Sequence, residues 1–356
     1  MVDPARVALK IGSKGIPITC LYCEETKTPD KFNREHVLPE AFGKYENNHY
    51  VLHRRVCSAC NSHFGTYLDG PLARDSKEGL DRFEHGGVEP KKGRTLPGSR
   101  IKLKRNGGRF DGALLLRTLD ATGTRVTAIH GAQLGFATSE EGPFEWRAVD
   151  ELPSVEELRA KQLSYCVAGG MTNEAAMALV KQLGFETVLA KDLVDSPDAD
   201  GIIATTTEGR IDQTLRRAIA KIAFNFLACS YPEIATLDQF RGIRRYIRFC
   251  EEPAVNPVAV SQDRIPLAGL TQDVQILGHI ITARWDEDAH QVVSQVSLFD
   301  WMQYQVTLST ARFLFPPSVV DAGLLFNPHT RQIGELTRDP SRGVPIPTVS
   351  KDESPA

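Results

Sequence analysis

The sequence predicts an α+β fold in three parts: a small metal-held N-terminal module, a larger α+β region and a disordered C-terminal tail. Four of the seven cysteines fall within the first 60 residues, as the pairs Cys20-Leu-Tyr-Cys23 and Cys57-Ser-Ala-Cys60. Beyond them, segments of helical period mix with segments of strand period, without the regular alternation of a doubly wound parallel sheet. From Arg338 onward, Pro340, Pro345, Pro347 and Pro355 stand among Ser, Asp and Lys, a composition that buries little apolar surface. The expected boundaries are 1–75, 76–335 and 336–356.

In the middle region, Arg100–Arg105, Ala113–Leu119 and Arg125–Ala137 read as strands, with Asn106-Gly107-Gly108 at a hairpin turn. Ser154–Gln162 and Asn173–Leu183 read as helices. The strongest helical signal runs from about Arg210 to Ser230, where Ile211, Leu215, Ile219, Ile222 and Phe226 repeat every three or four residues. That spacing puts Arg217 and Lys221 on the opposite, polar face. A second helix over Leu237–Phe249 gathers Arg241, Arg244, Arg245 and Arg248. Both helices therefore offer basic outer faces, of the kind most globular proteins carry. Val274–Arg284, Gln291–Leu298 and Tyr304–Leu308 read as antiparallel strands, with Asp286-Glu287-Asp288 at a turn. The aromatic segment Leu298–Tyr304 has strand spacing and is expected in the core. Ala168-Gly169-Gly170 lacks the Lys-Ser/Thr that a phosphate-binding loop requires.

Over 356 residues, 41% hydrophobic and 24% charged is ordinary globular composition, enough for a sizeable core. The formal charge of −3 excludes a generally polycationic binder, so nucleic-acid contact would come from local patches. No run reaches the roughly 18 apolar residues of a membrane span, and the first residues lack an apolar signal core. A soluble, cytoplasmic protein without membrane contact is expected. Cys166, Cys229 and Cys250 stand singly in apolar surroundings and read as small core residues.

In a reducing compartment, two Cys-x-x-Cys pairs read as metal ligands. Each places two thiolates on a tight turn, and two turns give the four soft ligands of tetrahedral structural zinc. A segment this short has little core of its own, so the metal would supply much of its folding energy.

Cys20-Leu21-Tyr22-Cys23, then Glu35-His36-Val37-Leu38-Pro39-Glu40-Ala41-Phe42-Gly43, then Val56-Cys57-Ser58-Ala59-Cys60-Asn61-Ser62-His63-Phe64-Gly65 and Thr66-Tyr67-Leu68-Asp69 follow in order. Together they resemble the HNH endonucleases, in the subgroup whose ββα-metal finger is held by a four-cysteine zinc site. The resemblance covers residues 18–70. It implies hydrolysis of phosphodiester bonds in DNA, which needs a base to activate water and a hard cation at the departing oxygen. By resemblance His36 is the general base, and Glu35 and Asn61 hold a catalytic Mg²⁺ or Mn²⁺. The residue that orients the base is open between Asn47, Asn48, His49 and a backbone carbonyl.

Candidate DNA contacts are Arg54 and Arg55 on the finger, His63 on the helix after the second cysteine pair, and a basic strip. The strip contains Lys91, Lys92, Arg94, Lys102, Lys104 and Arg105, with no acidic residue between Lys91 and Arg109. The expected function is a metal-dependent HNH endonuclease, working in restriction or antiviral defence. Its C-terminal region would engage a second copy of the chain or a sensor- or guide-carrying protein. The rival is a zinc module that binds nucleic acid or protein without catalysis.

Overall fold

A computed structural model describes residues 16–85, 101–107, 110–119, 126–140, 142–185, 205–209, 211–261, 278–299, 302–309, 320–338 and 345–347. The chain forms two compact units, one of Met1–Val88 with Ile211–Ala356, the other of Glu89–Arg210.

The first unit begins with the finger. β1 (Ile18–Thr19) and β2 (Thr26–Lys27) form a short hairpin around the first cysteine pair. β3 (Phe32–His36) pairs antiparallel with β4 (Val51–Cys57), which leads directly into α1 (Ser58–Phe64). A π-helical turn over Gly65–Asp69 follows, then α2 (Gly70–Asp75) and α3 (Lys77–His85).

The second unit holds two antiparallel sheets. β5 (Ile101–Arg105), β6 (Leu114–Leu119) and β7 (Val126–His130) are joined by β11 (Thr205–Gly209) in the order β11-β5-β6-β7. β8 (Gln133–Ala137), β9 (Glu145–Ala148) and β10 (Tyr165–Gly169) form a three-stranded sheet, order β10-β8-β9. With α4 (Val155–Ala160) and α5 (Asn173–Gln182), it encloses Leu134, Phe136, Leu158, Cys166, Ala176 and Val180. Where one strand was expected over Arg125–Ala137, two form, broken at Gly131 and Ala132. Gln133 explains the break: its side chain pairs with the Leu114 backbone, donating to the carbonyl at 2.7 Å and accepting from the amide at 2.6 Å. Gly170 packs against the same corner at φ +66°, where a Cβ would lie 2.3 Å from the Gly131 oxygen. The Gly-Gly after β10 therefore serves close backbone packing.

Back in the first unit, Asp212 caps α6 (Gln213–Ser230) by accepting from Leu215 N at 3.0 Å. Next comes α7 (Arg241–Phe249), closed by Cys250 in the left-handed region at φ 62°. Cys250 is exposed, unlike the core position expected of it. β12 (Val258–Ser261), β13 (His279–Asp286), β14 (Gln291–Leu298), β15 (Met302–Thr307), β16 (Asp321–Asn327), β17 (Gln332–Arg338) and β18 (Pro345–Pro347) form one antiparallel sheet. Its order is β12-β15-β14-β13-β16-β17-β18. Part of the expected tail thus adds to a sheet edge, and residues 348–356 lie outside the described residues.

α6 packs against β13, β14 and β15 on one side and against the finger on the other. One apolar cluster runs from Tyr22, Phe42, Phe64 and Leu68 through Ile219, Phe224 and Phe226 to Ile281, Val296 and Phe326. At about 1.5–3 kcal/mol per fully buried large side chain, this packing supports the finger independently of metal. Leu298, Phe299 and Tyr304 are buried in the same cluster, as their strand spacing suggested. Among the described residues, no helix is long and apolar enough to cross a membrane.

Candidate functional site

The four sulfurs of Cys20, Cys23, Cys57 and Cys60 all lie within 4.8 Å of one another. Cys20 and Cys60 are 3.9 Å apart, and Cys23 and Cys57 3.8 Å. A tetrahedron with Zn–S bonds of about 2.3 Å has edges of about 3.8 Å, so the cluster has the dimensions of a structural zinc site. Hydrogen-bond donors, two of them cationic, surround it. Arg248 Nε reaches the Cys60 sulfur at 3.2 Å, Lys27 Nζ the Cys57 sulfur at 3.5 Å, and the Cys57 amide the Cys20 sulfur at 3.3 Å. Four thiolates on one dication carry a net double negative charge, which these donors offset. Without a cation the cluster does not hold four thiolates: burial raises the Cys23 thiol to about 11, and the contact between the Cys20 and Cys60 sulfurs lowers the first thiol and raises the second. Glu24, beside Cys23, binds Arg244 at 2.9 Å and Arg241 at 3.4 Å. The arginines of α7 therefore clamp the knuckle to the C-terminal part of the unit.

The second cluster sits at the end of β3. The β3–β4 pairing slips: Asn33 faces Val56 and Arg34 faces His53, which leaves Arg54 and Arg55 unopposed in a bulge. Arg54 takes φ 52° there and is exposed. The bulge breaks strict alternation, so Asn33 and Arg34 are both exposed while Glu35 turns inward, 4% exposed. His36 stays half-buried, with Nε2 3.5 Å from Glu40 Oε1. Burial lowers the imidazole below its ordinary value, against a smaller opposing pull from Glu40. The ring is thus neutral at neutral pH and able to accept a proton. Asn61 lies four residues along the helical segment after Cys57 and donates Nδ2 to the Arg34 carbonyl at 2.8 Å. That bond fixes the amide and leaves Oδ1 without a protein partner among the described residues.

Arg34, Glu35, His36, Asn61, Asp69 and Lys221 border one open cavity of about 350 Å³, with Arg74 and Arg82 also on its wall. Glu35 meets two groups from α6: Lys221 Nζ pairs with its Oε1, and Asn225 Nδ2 donates to the same oxygen at 3.0 Å. Asn225 also donates to the His36 carbonyl at 3.1 Å and accepts from Tyr22 Oη at 2.6 Å. Lys221 continues to Asp69, at 3.0 and 3.1 Å from its two oxygens. Burial alone would pull the Lys221 ammonium down, but Asp69 and Glu35 outweigh it and hold the group above its ordinary value. Glu35 Oε2 has no protein partner among the described residues. With Asn61 Oδ1 it offers two hard oxygen donors, a set that fits Mg²⁺ or Mn²⁺ and not a thiophilic ion.

With the knuckle and this cavity in place, the match to known families falls on the same stretch: residues 20–77 fit the family model of HNH endonuclease. This segment is an HNH region. No curated protein and no solved structure matches the chain.

The HNH region thus brings His36, Glu35 and Asn61 to one cavity. The other candidate contacts are dispersed. Arg55 donates to the Pro232 carbonyl at 2.8 Å and holds the finger to the α6–α7 connection. His63 rests against the Tyr67 ring at 4.9 Å, with burial, Arg248 and Arg217 lowering its imidazole. Arg105 is 8% exposed, its guanidinium 5.6 Å over the Phe110 ring. Lys104 is half-buried; Lys91, Lys92 and Arg94 lie outside the described residues, as does the Lys102 side chain. Asn48 accepts from the Tyr50 amide and Asn47 takes φ 51° in the same turn. Among the described residues, no side chain of Asn47, Asn48 or His49 reaches His36.

Two expectations about the helices are corrected. Lys221 does not face solvent opposite an apolar stripe; it is 1% exposed, because α6 is covered by the sheet and by the finger. Arg217 spends its donors on the Tyr246 and Ile247 carbonyls of α7, at 3.1 and 2.7 Å. Asp69, Lys221, Asn225 and Tyr22 belong to the site and carried no assigned role in the sequence. The available signal was a lysine and an asparagine inside the apolar run Ala218–Ala228, where an interior polar group requires a partner.

Proposed function

We propose that the HNH region is a metal-dependent endonuclease that hydrolyses phosphodiester bonds in DNA. The observation that carries this reading is the convergence of a half-buried, neutral His36 with the free oxygens of Glu35 and Asn61 on one open cavity. His36 removes a proton from water as the water oxygen attacks phosphorus. The P–O3′ bond breaks and the departing O3′ takes a proton from solvent, giving a 5′ phosphate and a 3′ hydroxyl. Asn225 holds the His36 carbonyl and so fixes the end of the strand that carries the base. Glu35 and Asn61 would hold Mg²⁺ or Mn²⁺, which would supply Lewis-acid stabilisation of the phosphate and departing oxygen. Arg34 and Arg74 are exposed on the cavity wall and provide contacts for flanking phosphates.

The rest of the chain, far larger than the finger, selects the DNA or engages a partner. A role in restriction or antiviral defence, alone, as a dimer or beside a sensor- or guide-carrying protein, is the wider context of the proposal. The test is incubation of zinc-loaded protein with supercoiled plasmid in Mg²⁺, Mn²⁺ or EDTA, followed by end-group analysis. Nicked or linear DNA with 5′ phosphates in the metal-containing samples alone is expected. Equal cutting in EDTA would overturn the metal requirement.

A further inference from the structure

Lys221 is a cation already in place at the cavity, and the chemistry above makes no use of it. It reaches the site from α6, outside the stretch that matches the HNH family. Its side chain is 1% exposed, and its Nζ lies between Glu35 Oε1 and both Asp69 oxygens. The Phe64 ring closes another side, its centroid 5.8 Å from Nζ. An ammonium so fully removed from water persists because two carboxylates compensate it. The converse holds for the carboxylates. Two carboxylates this close, one of them buried, repel each other and are stabilised by a proton, a metal or a fixed cation between them. Here the fixed cation is part of the chain.

The two oxygens of Glu35 are therefore divided. Oε1 is committed to Lys221 and Asn225, while Oε2, like Asn61 Oδ1, has no protein partner among the described residues. We propose that Lys221 fills a second cation position, between Glu35 and Asp69, and so limits the nuclease site to a single divalent ion. Lys221 is a positioning residue: it acts through the two carboxylates it holds. This inference rests on the nuclease reading of the cavity but concerns how many divalent ions the cavity takes.

The test counts Mn²⁺ bound per zinc-loaded chain by electron paramagnetic resonance, in wild type, Lys221→Met, Lys221→Arg and the double variant Lys221→Met/Asp69→Asn. The expected counts are one, two, one and one. A count of one for Lys221→Met overturns the inference and leaves the nuclease reading intact. A count of zero in wild type overturns the single-ion assignment and also removes the metal from the nuclease reading. A second ion that persists in the double variant overturns the assignment to Asp69. If Lys221→Met unfolds without divalent metal, the inference predicts that Mn²⁺ refolds it, read by circular dichroism. A variant unfolded with and without Mn²⁺ overturns it.

Discussion

Arg248 Nε donates to the Cys60 sulfur at 3.2 Å, joining α7 to a cysteine of the candidate zinc site 188 residues earlier in the chain. The bond places a positive charge against a centre whose four thiolates exceed the charge of one zinc ion. The knuckle is thus shared: its ligands come from the finger and part of its charge balance from the C-terminal half of the same unit.

Replacing Arg248 by Ala should weaken zinc binding by about 10-fold, the lower end of what loss of an outer partner costs a metal site. Competition with a coloured chelator measures it. Unchanged affinity would show that the contact is incidental to the metal.

Cys57→Ser removes a ligand outright. The finger should lose zinc and the local order of its two cysteine turns, since Cys57 ends β4 and its amide also caps the Cys20 sulfur. The apolar cluster shared with α6 and the sheet should survive in part. Near-ultraviolet circular dichroism, combined with metal analysis, reads both effects.

Tyr22→Phe deletes the hydroxyl that donates to Asn225 at 2.6 Å in a fully buried setting. The abandoned Asn225 oxygen makes this more than the loss of one bond, and a destabilisation of about 1–3 kcal/mol is expected. Urea unfolding at constant zinc loading checks it.

The pH profile of cleavage should carry an acid limb below the ordinary histidine value of 6.5, because burial lowers His36 and the base works when unprotonated. Glu40 favours the protonated ring and so raises that value. Glu40→Gln should shift the acid limb to lower pH and leave the plateau in place. A shift to higher pH would contradict the assignment of the limb to His36.

The parts of the molecule legible in the sequence are those built from near neighbours. Both cysteine pairs converge as their spacing suggested, and Glu35, His36 and Asn61, which the resemblance grouped, line one cavity. Helices α4, α5 and α6 and strands β13 and β14 follow from periodicity for the same reason. The site residues that were not legible have distant partners: Lys221 and Asp69 are 152 residues apart, Glu35 and Asn225 190, Tyr22 and Asn225 203. Periodicity assigned Lys221 to a solvent face because a five-residue stripe accounts for one neighbour, and α6 has two. Arg105 shows the same limit in the second unit, where a basic strip in sequence includes a side chain folded over Phe110. Which neighbour covers a helix or strand is settled by long-range packing, and local spacing carries no record of it.

The claim that this cavity cuts DNA rests on His36 as base. The most direct test compares plasmid cleavage by wild type and His36→Ala in Mn²⁺, with zinc content and DNA affinity matched. Loss of about 100- to 10,000-fold in rate, the usual contribution of a general base, is the predicted result. Equal cutting by the two proteins, or DNA binding without cutting by either, would contradict it.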